Sequence, residues 1–178
     1  MASPAERATL DRHMPVEITR GGQCPPRIRI ERDPAFWVDV ASADEVNAAL
    51  LGLPPEAIGG FAVDPRVTPI AAEHGGFMFA RMDGFGFAWE MHAIFKRQGW
   101  GFKAVAAGML AVGFMFDQGA DLLMVYEVKG LPASRPPSQS GFVPVGEMRP
   151  TAVGDLRLWL LTKSAWLAAP MGVTKCRQ

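Results

Sequence analysis

The sequence predicts an α/β fold with helices flanking a mixed central sheet. Three observations predict it. Gly76 to Phe95 reads as two apolar strands joined at Asp83-Gly84, a dipeptide that accepts the positive φ angles of a tight turn. From Gly99 to Gln118, Phe102, Val105, Ala106, Met109, Gly113 and Phe116 recur at helical spacing, and Gly119 can end the helix. Leu122 to Val128 is apolar over most of its length, which suits a strand covered on both faces.

The remaining elements are justified in turn. Arg27 to Glu31 alternates basic and apolar residues, a short strand signal. Asp33-Pro34 reads as a helix start, with aspartate capping and proline in the first turn. Ser42-x-x-Glu45 resembles a capping box ahead of Val46 to Leu51. The proline-rich stretch from Leu53 to Pro69 reads as loop, and so does Gly130 to Ser140. Phe142 to Met148 and Leu156 to Thr162 form a second expected hairpin, and Lys163 to Gln178 carries no clear signal. From Gly76 onward the order is strand, strand, helix, strand, loop, strand, strand.

Bulk properties narrow the function. With 178 residues, 49% apolar and 20% charged, the chain suits one globular domain with a real core. The expected layout is a single domain over 1–178: a variable N-terminal region over 1–75, a core over 76–166 and a tail over 167–178. Eighteen basic and eighteen acidic residues leave no net charge, which argues against a broad basic surface for nucleic acid. A neutral chain also fits an oligomer or assembly component. Cys24 and Cys176 make one conceivable disulfide but no framework, so the expected compartment is cytoplasmic. The apolar run Ala104 to Phe116 is shorter than a membrane span and reads as a buried helix.

The chemistry concentrates where the strand ending at Phe95 meets the helix. Lys96-Arg97-Gln98-Gly99-Trp100-Gly101 places two glycines at a strand-to-helix junction. Such a turn directs backbone N–H groups outward, and the helix adds its unpaired donors and positive dipole end. The guest that fits is a phosphate or pyrophosphate, with Lys96, Arg97 and Lys103 available for its charge. The alternative reading of Gly99 and Gly101 is close packing of helix on sheet. Glu90 and His92 stand two apart on a strand and so share a face. Either can take a proton as a general base, or both can be polar residues at a sheet face. As a metal pair they lack nearby partners, since the other histidines are His13 and His74; no metal is expected. Trp89, Trp100, Trp159 and Trp166 read as core or interface residues, with Trp100 pointing outward from the turn. Tyr126, the sole tyrosine, reads as a buried strand residue, with a displaced acid as the alternative.

The run Lys96-Arg-Gln-Gly99-Trp-Gly101, the strand Leu122 to Val128, and Gly141-Phe142 before a further strand together resemble the GNAT acyltransferase superfamily over roughly Gly76 to Trp166. The resemblance implies a GNAT-like three-layer fold and acetyl-CoA as co-substrate. It implies that Phe95 holds the pantetheine arm, and that Lys96, Arg97, Gln98, Gly99, Trp100, Gly101, Phe102 and Lys103 surround the pyrophosphate. It implies Glu90 and His92 as catalytic residues acting on a small-molecule or protein amine. Glu90, His92 and Phe95 look most like GNAT-like proteins of phages and prophages, which adds the alternative of an inactive component of a virion or other self-assembling particle. The tyrosine that many members carry as acid is replaced by Pro137, and the asparagine often found after the preceding strand is absent from Lys129 to Ser134. No nucleic acid and no membrane is expected as partner. A third expectation is a binding module that senses a nucleotide-like anion without chemistry.

Overall fold

The computed structural model describes residues 26–50, 52–85, 87–128, 137–148 and 155–168. Seven strands form one mixed sheet: β1 (Arg29–Ile30), β2 (Val67–Ala72), β3 (Gly75–Arg81), β4 (Ala88–Phe95), β5 (Leu122–Val128), β6 (Val143–Met148) and β7 (Leu156–Thr162). The spatial order is β1-β2-β3-β4-β5-β7-β6. Every neighbouring pair is antiparallel except β4–β5. The helices are α1 (Pro34–Ala41), α2 (Asp44–Asn47), α3 (Pro55–Val63), α4 (Phe102–Asp117) and α5 (Lys163–Ala168).

Strand alternation sorts the core into two layers. On one face Phe77, Phe79, Met91 and Phe95 pack with Ala107, Ala111, Val112 and Met115 of α4. On the other, Met78 and Ile94 pack with Trp37, Val40, Ile58 and Ala62 of α1 and α3. Alanines on the inner side of α4 let the helix sit close to the phenylalanines. Removing one such ring, as in Phe79→Ala, costs about 3–5 kcal/mol in a core of this kind. Trp37 anchors α1: it is fully buried, and its indole N–H donates to the Glu31 carbonyl at 2.7 Å.

Several expectations hold. The Asp33 side chain accepts from the Ala35 amide at 2.9 Å, as a helix cap with proline in the first turn should. Both expected hairpins form. Gly119, at φ 95°, follows the end of α4.

Others are corrected. The stretch 53–69 is not loop: it holds α3 and much of β2. Prolines here mark a start rather than a break, because Pro55 stands in the first turn of α3, where no amide is needed. Ser42-x-x-Glu45 is not a capping box. Ser42 closes α1, with its hydroxyl donating to Val38 O at 2.7 Å, while Ala43 precedes α2. Helix α4 starts at Phe102, and Arg97–Gly99 is a separate 3₁₀ turn. Strand β5 is buried only at Leu123 and Met124. The C-terminal segment carries α5, and Pro137–Ser140 is a 3₁₀ turn. Cys24, Cys176, His13 and Lys129 to Ser134 lie outside the described residues.

Candidate active site

The site begins where β4 and β5 part. Their register runs Ala88↔Leu122, Trp89↔Leu123, Glu90↔Met124 and goes no further, although β4 continues to Phe95 and β5 to Val128. Beyond this register no further residues of the two strands pair, which leaves a gap in the pairing on the side of the glycine turn.

Backbone parity shows what faces that gap. The Lys96 amide donates to His74 O at 2.9 Å and the Met82 amide to Ala88 O at 3.0 Å, so even-numbered peptide groups of β4 turn toward β3. The Phe87 carbonyl accepts from the Asp121 amide at 3.0 Å, so odd-numbered groups turn toward β5. The N–H and C=O of Ala93 therefore point across the gap without a strand partner among the described residues. The Phe95 carbonyl points the same way and accepts from the Trp100 indole N–H at 2.9 Å. Trp100 is half-buried and packs on the α4 side of the core. The sequence suggested an outward ring; the hydrogen bond and the apolar contact fold it back.

The two glycines of the turn do different work. Gly99 is buried, and a Cβ there would lie 2.9 Å from Phe95 Cδ1 and 3.2 Å from His74 Cβ, so it is a packing glycine. Gly101 has φ 87° and ψ −140°, and a Cβ there would meet nothing within 4 Å. It faces open space in a conformation that suits glycine. The amides around them divide similarly. Arg97 N–H donates to Glu45 Oε1 at 2.7 Å; the amides of Gly99 and Trp100 are held by Lys96 O and Arg97 O at 2.8 and 3.2 Å. Those of Phe102, Lys103 and Ala104 precede the first helical bond, Val105 N to Gly101 O at 3.2 Å, and have no partner within α4.

Carboxylates surround this basic turn. Lys96 Nζ pairs with Asp39 at 2.7 Å, and Lys103 Nζ pairs with Glu73 at 2.8 Å. The hydrogen bond from the Arg97 amide, with the charges of Arg97 and Lys96, holds the Glu45 carboxyl below its ordinary value. Lys103 does the same for Glu73. Gln98 is exposed, and so is Arg97, whose guanidinium makes no ion pair among the described residues. Asp39, Glu45, Glu73 and Ala93 escaped sequence reasoning. The three acids come from segments about 25–60 residues away with no motif linking them to the turn, whereas Ala93 needed only the strand register.

On the face of the sheet opposite α4, Glu90 Oε1 lies 3.2 Å from His92 Nε2. Their side chains are 27% and 51% exposed, so both are open to solvent. They flank the point where β4 and β5 separate. The shared face expected from their spacing is observed, and Ile94, two residues on, packs with α1 and α3.

This mixed sheet, parting between its one parallel pair and followed by a glycine turn and helix, is the fold of the GNAT acetyltransferases. A probable GNAT-family acetyltransferase from Chromobacterium violaceum superposes with a TM-score of 0.64 at 17% identity, over 84% of this chain and 92% of its own. A variant of spermidine N-acetyltransferase from Vibrio cholerae gives 0.64 at 15% identity, over 81% and 97%. Ribosomal-protein-S5-alanine acetyltransferase from Vibrio fischeri gives 0.62 at 14%, over 80% and 95%. No protein-family model and no curated protein sequence matches the chain. The narrower likeness to phage-encoded proteins gains no support from these structures.

Proposed function

We propose that the protein is an N-acetyltransferase that moves an acetyl group from acetyl-CoA to an amine by direct attack. The observation that carries the reading is the end of β4–β5 pairing beside Glu90 and His92, which leaves the Ala93–Phe95 edge of β4 unpaired ahead of the N-terminal amides of α4. Similar folds in acetyltransferases support it.

The residues divide the work as follows. The peptide group of Ala93 and the N–H of Phe95 are placed to hydrogen-bond the pantetheine arm along the open side of β4. The amides of Phe102, Lys103 and Ala104, at the positive end of α4, suit the pyrophosphate, and Gly101 lets it approach. Arg97 is the cation left to meet phosphate charge, because Lys96 and Lys103 already face carboxylates. Glu90 accepts the amine proton directly or through water, and His92 orients it or relays the proton. A C–N bond forms, the C–S bond breaks, and coenzyme A leaves as the thiol. The acceptor is a small-molecule or protein amine.

The decisive variant is Glu90→Gln. Turnover of acetyl-CoA should fall about 10²–10⁴-fold while coenzyme affinity persists. Unchanged turnover would remove Glu90 from the mechanism. The alternative of an inactive particle component rests on the sequence, namely Pro137 in place of the tyrosine, the absent asparagine and the zero net charge, and the likeness to enzymes gives it no support.

A further inference from the structure

The face that carries Glu90 and His92 continues onto the other half of the sheet. There, strand parity separates polar from apolar side chains. Trp159 is buried with the α4 layer, and its indole N–H donates to Glu127 Oε2 at 2.8 Å; Arg157 pairs with Glu147 at 3.4 Å. Glu127, Arg157 and Trp159 therefore lie on the α4 side. The intervening residues Tyr126, Val128, Leu156, Leu158 and Leu160 lie on the opposite side, in register with one another as Tyr126↔Leu158 and Val128↔Leu156. Met124, opposite Glu90, joins them to the catalytic pair.

These side chains are apolar but for one phenol. The five beyond Met124 are half-buried, and none belongs to either core layer. Among the described residues, Glu90 and His92 are the only titratable groups other than that phenol on this face of β4, β5 and β7. An apolar strip that starts at a general base and stays partly open to solvent is a seat for the body of the molecule being acylated. We infer that the acceptor is a monoamine with an apolar body, aromatic or aliphatic, lying on Tyr126, Leu158 and Leu160 with its nitrogen at Glu90. A polyamine would place its second cation on leucines, with no carboxylate on this face of β5 and β7 among the described residues to meet it, at a desolvation cost. The inference rests on the acetyl-transfer reading and adds the class of acceptor.

The test uses the full chain with acetyl-CoA, following thiol release with 2-phenylethylamine, hexylamine and spermidine, and coenzyme A binding by calorimetry. The two monoamines should be used with kcat/KM at least about tenfold above spermidine. Leu158→Asp should lower that value about tenfold or more through KM, with coenzyme A affinity and the circular dichroism spectrum unchanged. A Leu158→Met variant should restore it. Preference for spermidine, or indifference to Leu158→Asp, would overturn the inference. A dimer that Leu158→Asp dissociates without altering acceptor use would also overturn it, by giving the strip to a second copy. Coenzyme A binding with turnover of none of the amines would defeat the acceptor inference alone; no coenzyme A binding would defeat the acetyl-transfer reading with it.

Discussion

The Glu45 carboxylate of α2 accepts a hydrogen bond from the Arg97 amide at 2.7 Å, so an acid stands at the entrance of the turn read as a pyrophosphate site. A diphosphate at the neighbouring amides of α4 would approach that negative charge.

Glu45→Gln should tighten coenzyme A binding, because it keeps an acceptor for the Arg97 amide and removes the repulsion. Exposed charges interact weakly through water, so the expected gain is no more than about fivefold, measured by calorimetry at low salt. Weaker binding would show that Glu45 organises the turn for its guest. The pH dependence has a fixed sign. The folded carboxyl lies below its ordinary 4.5, so its contribution to stability is present above that value and is lost as pH falls through the folded one. The stability difference between the wild type and Glu45→Gln should therefore shrink on acidification from neutrality to below 4.5.

The two glycines should separate stability from binding. Gly99→Ala forces a methyl against Phe95 and the Glu73–His74 turn and should cost about 1–3 kcal/mol, read as a lower Tm. Gly101→Ala adds no clash, but it strains a φ of 87° and places a methyl where the guest enters. Its main effect should be on coenzyme A affinity, measured well below the melting temperature. An affinity equal to wild type would place the guest elsewhere.

Trp100→Phe keeps the apolar contact and removes the indole donor from the Phe95 carbonyl. The expected loss is about 0.5–1.5 kcal/mol in denaturant unfolding. No loss would mean that water replaces the donor, and hence that the gap is wet at that end.

Much of the fold was legible because its signals are local. Asp33-Pro34 named a helix start, Asp83-Gly84 named a turn between strands, and the spacing from Phe102 to Phe116 named α4. The segment 53–69 was misread because proline at a helix start and proline within a strand resemble loop composition, and only the packing of Ile58 and Ile70 distinguishes them. The site was half legible. Glu90 and His92 followed from a period of two, and the turn followed from its glycines. The pairing of Lys96 with Asp39 and of Lys103 with Glu73 was not readable, because tertiary folding alone brings those acids to the turn. The role of Ala93 depended on where β4 and β5 cease to pair, which no residue type announces.

The central claim is that one turn and one open strand edge hold coenzyme A. Amide chemical shifts of the isotope-labelled protein, followed during titration with coenzyme A, test it most directly. The account predicts the largest changes at Ala93, Phe95 and Gly101 to Ala104, with the Trp100 indole N–H moving as well. Saturating coenzyme A that leaves those resonances in place, or moves a separate surface, would contradict it.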